Sequence, residues 1–197
     1  MKTSIGWRST LLAAALSALP ALQAHAADFE LSALMEMLAL VPAAKDSFTE
    51  TKTSAVLSTP LVLKGSLIYQ RPDRLEKNVL APYDERTVIA GDSVTIENRT
   101  LKQTRRFSLA SSAAISAFVA SIRATLAGDR AALERHYSVQ LEGRQEAWTL
   151  TLTPRDPKLA SLVKRILIAG AAERLKRIDI EEATGDRSVM QINPEPL

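Results

Sequence analysis

Residues Pro60–Pro82, "PLVLKGSLIYQRPDRLEKNVLAP", decide how this chain is read. Leu61, Leu63, Leu67 and Tyr69 recur at a spacing of two, with Lys64, Ser66 and Gln70 between them, so one face of a strand is apolar and the other polar. The pattern stops at Arg71-Pro72, where proline fixes a corner, and resumes with Leu75, Lys77 and Val79 on the inner face of a second strand. Two strands joined at a proline corner, with an aliphatic inner face, predict a sheet that bends around something apolar.

The flanks extend this pattern. Leu31, Leu34, Met35, Leu38 and Val41 form a helical stripe, widened by Met37 and Leu40, with Asp28 as a possible cap and Pro42 as the stop. A helix so apolar must be covered on more than one side. Phe48–Leu57 reads as a polar, threonine-rich strand. Beyond Pro82, short strands are expected at Thr87–Ala90, Ser93–Glu97 and Leu101–Ser108. A helix follows over Ser112–Leu126, with Ile115, Phe118, Val119 and Ile122 as its stripe and Gly128 as its stop. A short helix is expected at Ala131–Arg135, then a hairpin of Tyr137–Glu142 with Glu146–Thr153, in which Trp148, Leu150 and Leu152 share a face. Pro157–Lys164 reads as one or two helical turns, and Ile166–Ala169, Arg174–Glu181 and Ser188–Ile192 as closing strands. The sum is an α+β domain: a curved, mostly antiparallel sheet with helices lying against it.

The amino terminus reads as an address. Lys2 and Arg8 precede the apolar run Leu11–Leu22, and Ala24-His25-Ala26 is a small-residue cleavage site. The run is too short to span a bilayer. Residues 1–26 are expected to be a cleaved signal peptide and 27–197 a single soluble domain; taking 26 from 197 leaves 171 residues. Without Lys2 and Arg8 the basic count falls from 25 to 23 against 22 acidic residues, a net charge of +1. No concentrated basic face is left to attract nucleic acid. With no cysteine, the fold must hold by packing alone in an oxidising compartment.

The residues offer little catalytic chemistry. His136 is the single histidine after the cleavage site, too few for a zinc centre and without a serine motif beside it. Glu181 and Glu182 are adjacent in a strand and point to opposite faces, unlike a glycosidase pair. Gly91-Asp92, Gly128-Asp129 and Gly185-Asp186 read as turns. No enzyme activity, metal or cofactor is expected. Instead, 46% of the chain is hydrophobic while only 5% is aromatic. That aliphatic excess fits either an ordinary core or a pocket lined by adaptable side chains.

The ordered series Phe48-Thr49-Glu50, "LKGSLIYQRP" (63–72), "DRLEKNVLAP" (73–82), "AGDSVTI" (90–96), "WTLTLTP" (148–154) and "LKRIDIEEATGDRSVMQI" (175–192) resembles the LolA-like family of periplasmic lipoprotein carriers. The resemblance implies a half-open β-barrel whose concave apolar face is covered by helices. It also implies a cavity that shields lipoprotein acyl chains between an inner-membrane exporter and an outer-membrane acceptor. On that basis Met35, Leu38, Leu63, Leu67, Tyr69, Leu75, Val79, Phe118, Trp148 and Leu150 are expected to line the acyl-chain cavity. Arg71 is expected either to latch the lid through backbone carbonyls or to be a plain turn residue. The chain departs from the family where aromatic residues give way to Glu76, Lys77 and Val79, and where it ends soon after the last strand. The departures leave open another acylated or polyene lipid as cargo. In a different class, an envelope-stress sensor shares the fold but carries a second domain for which 171 residues leave no room. A periplasmic monomer is expected.

Overall fold

The computed structural model describes residues 29–194; the signal-peptide expectation and the Asp28 cap lie outside them. Four helices and eleven strands follow in the order α1 Leu31–Ala39, β1 Ala43–Thr53, β2 Leu61–Gln70, β3 Arg74–Ala81, β4 Glu85–Ala90, β5 Ser93–Asn98, β6 Gln103–Ser108, α2 Ala113–Ala127, α3 Arg130–His136, β7 Tyr137–Arg144, β8 Ala147–Pro154, α4 Pro157–Ala160, β9 Val163–Ala171, β10 Arg174–Glu182 and β11 Arg187–Pro194. All strands join one antiparallel sheet, ordered β6-β5-β4-β3-β2-β1-β11-β10-β9-β8-β7. The first and last strands pair at its centre and the two edges stay apart, so the barrel is half open.

Register carries the alternation read from Pro60–Pro82 across the sheet. Tyr69 stands opposite Leu75 and Ala44, Leu67 opposite Lys77 and Asp46, and Gly65 opposite Val79 and Phe48. A longer row on the same face runs Leu141, Leu150, Ile168, Ile178, Met190, Glu50, Leu63 through seven strands. The helices lie on this face. α1 buries Leu34, Met35 and Leu38 against Trp148, Leu150, Leu152 and Ile166 from β8 and β9, and Leu133 of α3 completes this main core. Phe48, Leu63 and Val79 form a second core, and Val94, Leu109 and Val119 a third that seats α2 on β5.

Helix ends follow from local chemistry. Ser112 caps α2 by accepting from the Ile115 N–H at 3.4 Å, and Gly128 closes it at φ 69°. A Cβ on Gly128 would stand 2.1 Å from the Met35 carbonyl oxygen, so glycine is what lets α1 and α2 cross here. β1 begins at Ala43, five residues before the sequence-based start at Phe48, because Pro42 both ends the helix and sets the chain extended. The helix expected over Pro157–Lys164 stops at Ala160, and β9 takes Val163 and Lys164.

Candidate functional site

Between the helices and the floor formed by β1–β4 and β9–β11 lies a cavity of about 540 Å³. Leu38, Phe118, Ile122 and Leu126 line it from α1 and α2; Leu67, Tyr69, Leu75 and Ile89 from β2–β4; Leu175, Ile178, Ile180 and Met190 from β10 and β11. Leu40, 82% exposed, sits at its rim. The wall is mostly aliphatic. It suits flexible hydrocarbon, which such side chains accommodate without directional contacts.

Five of the ten sequence-predicted lining residues meet here: Leu38, Leu67, Tyr69, Leu75 and Phe118. The structure places the other five in packed cores on the same concave side. Met35, Trp148 and Leu150 are sealed under the helices, with the Trp148 indole N–H donating to the Ala172 carbonyl at 2.8 Å. Leu63 and Val79 are sealed around Phe48, which closes over Gly65. Alternation identifies the face of a residue but not what covers it. The β10 and β11 contribution escaped the sequence reading, although Ile178, Ile180 and Met190 alternate as clearly as β2 does.

Arg71 sits at the corner between β2 and β3. Its backbone N–H donates to the Pro42 carbonyl at 3.0 Å, at the exit of α1. Its guanidinium Nη2 donates to the Ala127 carbonyl at 2.7 Å, at the end of α2. Carbonyls in a helix's last turn lack intrahelical partners and carry partial negative charge, so a permanent cation is well matched to Ala127. One residue thus bonds both the turn that follows α1 and the last residue of α2.

The floor is not wholly apolar. Glu50, 4% exposed, accepts hydrogen bonds from the Lys77 ammonium and the Ser188 hydroxyl, and Lys52 stands 3.7 Å away. Burial alone would raise the Glu50 carboxyl, but the charge and hydrogen bond of Lys77, the Ser188 hydroxyl and the charge of Lys52 together hold it below its ordinary value. The Lys77 ammonium also lies 5.2 Å from the centre of the Phe48 ring. Lys77 was assigned to the inner face by alternation, yet its partner Glu50, in another strand, was not legible from spacing. Glu76 faces the other way, where Arg86 grips both its oxygens at 2.9 and 2.8 Å, and Arg74 and Asn78 add single bonds. Among the described residues no cluster of three metal-ligating side chains occurs, and no helix is long and apolar enough to cross a membrane.

Residues 21–192 match the family described as outer membrane lipoprotein carrier protein LolA-like. An outer-membrane lipoprotein carrier protein of Chromohalobacter salexigens is 28% identical over 133 residues, 64% of this chain and 57% of that protein. The chain thus spans little more than half the length of this curated relative. Among solved structures, a LolA superfamily protein from Nitrosomonas europaea aligns with TM-score 0.43 and 13% identity, over 83% of this chain and 93% of that one. The Pseudomonas aeruginosa MucA/MucB complex aligns with TM-score 0.44 and 13% identity, over 85% and 58%. The family match rests on sequence and takes in nearly all of the described residues: the chain belongs to the LolA-like outer membrane lipoprotein carrier family.

Proposed function

We propose that this protein is a periplasmic carrier that shelters the acyl chains of lipoproteins on their way from the inner to the outer membrane. The aliphatic cavity beneath α1 and α2 is the observation that carries the reading. An acyl chain in water loses about 0.8 kcal/mol for each exposed methylene, so a long chain needs cover to cross an aqueous gap. A mostly aliphatic lining with few aromatic rings grips by burial and releases by the same route. The carrier takes its load from an inner-membrane exporter and gives it to an outer-membrane acceptor, and no catalytic step is required of it. Arg71 holds the cover shut when the cavity is empty.

The test is to isolate the protein from a periplasmic extract and identify its bound material by mass spectrometry. Purified protein is then incubated with inner-membrane vesicles containing a triacylated lipoprotein. Acyl-bearing lipoprotein recovered in soluble complex is the expected result. Bound lipid without lipoprotein transfers the reading to another acylated lipid. Capture of a membrane regulator with neither transfers it to a sensor, and an empty protein that solubilises nothing sinks the carrier.

A further inference from the structure

Burial of hydrocarbon needs no charge, yet charged side chains, Glu50 and Lys77 among them, are built into the floor of this cavity. In the row Leu141–Leu150–Ile168–Ile178–Met190–Glu50–Leu63, six positions are aliphatic and Glu50 is the exception. An aliphatic residue there would be at least as stabilising, since a buried ion pair returns little beyond its own desolvation. Lys77 lies two rows further on, beside Leu67, and reaches Glu50 over the Phe48 ring of the row between. The Phe48 ring packs over Gly65, where a Cβ would stand 1.7 Å from the Asn78 carbonyl oxygen and 3.1 Å from the ring edge.

The cluster is rich in donors. Lys77 makes one hydrogen bond among the described residues, leaving two of its three ammonium hydrogens uncommitted. Lys52 is a second cation against the single Glu50. On the adjoining row the Tyr69 hydroxyl is buried with no hydrogen-bond partner among the described residues. Asp46, which also lines the cavity, has a partner of its own. Spare donors and a surplus cation select an acceptor that carries negative charge.

We propose that Lys77, with Glu50 and Ser188, forms a head-group subsite inside the cavity that receives an anionic oxygen group, carboxylate or phosphate, at the end of an acyl chain. Lys77 keeps its bond to Glu50 and offers its uncommitted hydrogens to the ligand, while Ser188 and Lys52 hold Glu50 in place. The inference rests on the carrier reading of the cavity and adds to it a preference among cargoes.

The test uses a neutral fluorescent probe, N-phenyl-1-naphthylamine, displaced from the purified protein at neutral pH. Four amphiphiles of equal chain length compete, each below its micelle concentration: dodecanol, dodecanoate, dodecyl phosphate and dodecyltrimethylammonium. The quantity read is the ratio of each ion's dissociation constant to that of dodecanol within one protein. Wild type is expected to bind at least one anion about tenfold more tightly than the alcohol, the effect of one charge-assisted hydrogen bond, and the cation more weakly. Whether dodecanoate, dodecyl phosphate or both gain identifies the head group. Lys77→Met strands Glu50 and can unfold the protein, so Lys77→Met/Glu50→Gln is made beside it; the anion preference should fall to about twofold or less in the double variant. Equal ratios in wild type, or a preference that survives the double substitution, overturn the subsite and leave the cavity standing. A wild type that binds none of the four overturns both.

Discussion

Arg71 and Glu76 stand five residues apart on one hairpin and do opposite work. Arg71 reaches across to α2, and in the carrier reading proposed above its bond to the Ala127 carbonyl would last only while the cover is closed. If closure and cargo compete for the same space, as that reading requires, removing the bond favours the loaded state. An exposed charge-assisted bond is worth about 1.5 kcal/mol, close to tenfold in that balance. Arg71→Leu is expected to bind a neutral acyl probe more tightly and to release it to acceptor vesicles more slowly, with Arg71→Lys in between; stopped-flow release that is equal in all three proteins reduces Arg71 to a turn residue. Glu76 instead ties β3 to β4 on the outer face. The Arg86 bonds outweigh the effect of its burial and, with Asn78 and Arg74, pull its carboxyl from 4.5 down to about 2. A group whose folded value is depressed stabilises the fold above its unfolded value, and that contribution fades as pH falls from 4.5 to about 2. With allowance for partly exposed arginines it amounts to about 2–3 kcal/mol. Urea unfolding across this window should show wild type converging on Glu76→Gln at the acid end. A constant gap between the two would deny the ion cluster its role.

At the scale of elements, α1 and α2 pack against each other as a pair. Their crossing depends on Gly128, whose left-handed backbone and lack of Cβ let it touch Met35 and Ala39 of α1. Gly128→Ala meets a backbone oxygen that cannot swing away and adds left-handed strain, together about 2–4 kcal/mol. The melting temperature should fall by about 5–10 °C, with amide exchange rising first in α1; an unchanged melting curve would mean that the helices do not depend on this crossing. The elements themselves were largely legible, since period-two alternation in β2, β3, β8 and β10 and the apolar stripes of α1 and α2 are strong local signals. Their ends were less so. Pro42 was read as a helix stop only, although the same fixed φ starts β1 at Ala43. What no spacing reveals is the third dimension. Leu63 and Leu67 share a face and a strand, yet Leu63 is sealed beside Phe48 while Leu67 borders the cavity. Which aliphatic residues are core and which are wall depends on where α1 and α2 end, and that is a tertiary outcome.

At the scale of the whole molecule, an open sheet with its terminal strands paired at the centre leaves one half filled by α1–α3 and the other half only partly covered. The filled half stabilises the fold, so the partly covered half can stay hollow. In the carrier reading this division largely separates binding from stability, and it predicts how affinity should scale with cargo. If the cavity grips by burial, each added methylene contributes about 0.8 kcal/mol, or roughly fourfold in affinity, until the hollow is full. Displacement of a neutral probe by primary alcohols of increasing length should therefore give a steep linear rise and then a plateau, with a negative heat-capacity change in calorimetry. Leu75→Glu puts a charged carboxylate on the apolar wall and should abolish the rise, whereas circular dichroism should stay native because Leu75 lies outside the three sealed cores. Affinity independent of chain length would mean that the alcohols adsorb to exposed apolar residues such as Leu40, and the hollow would then have to be explained as a gap in packing rather than a hold for cargo.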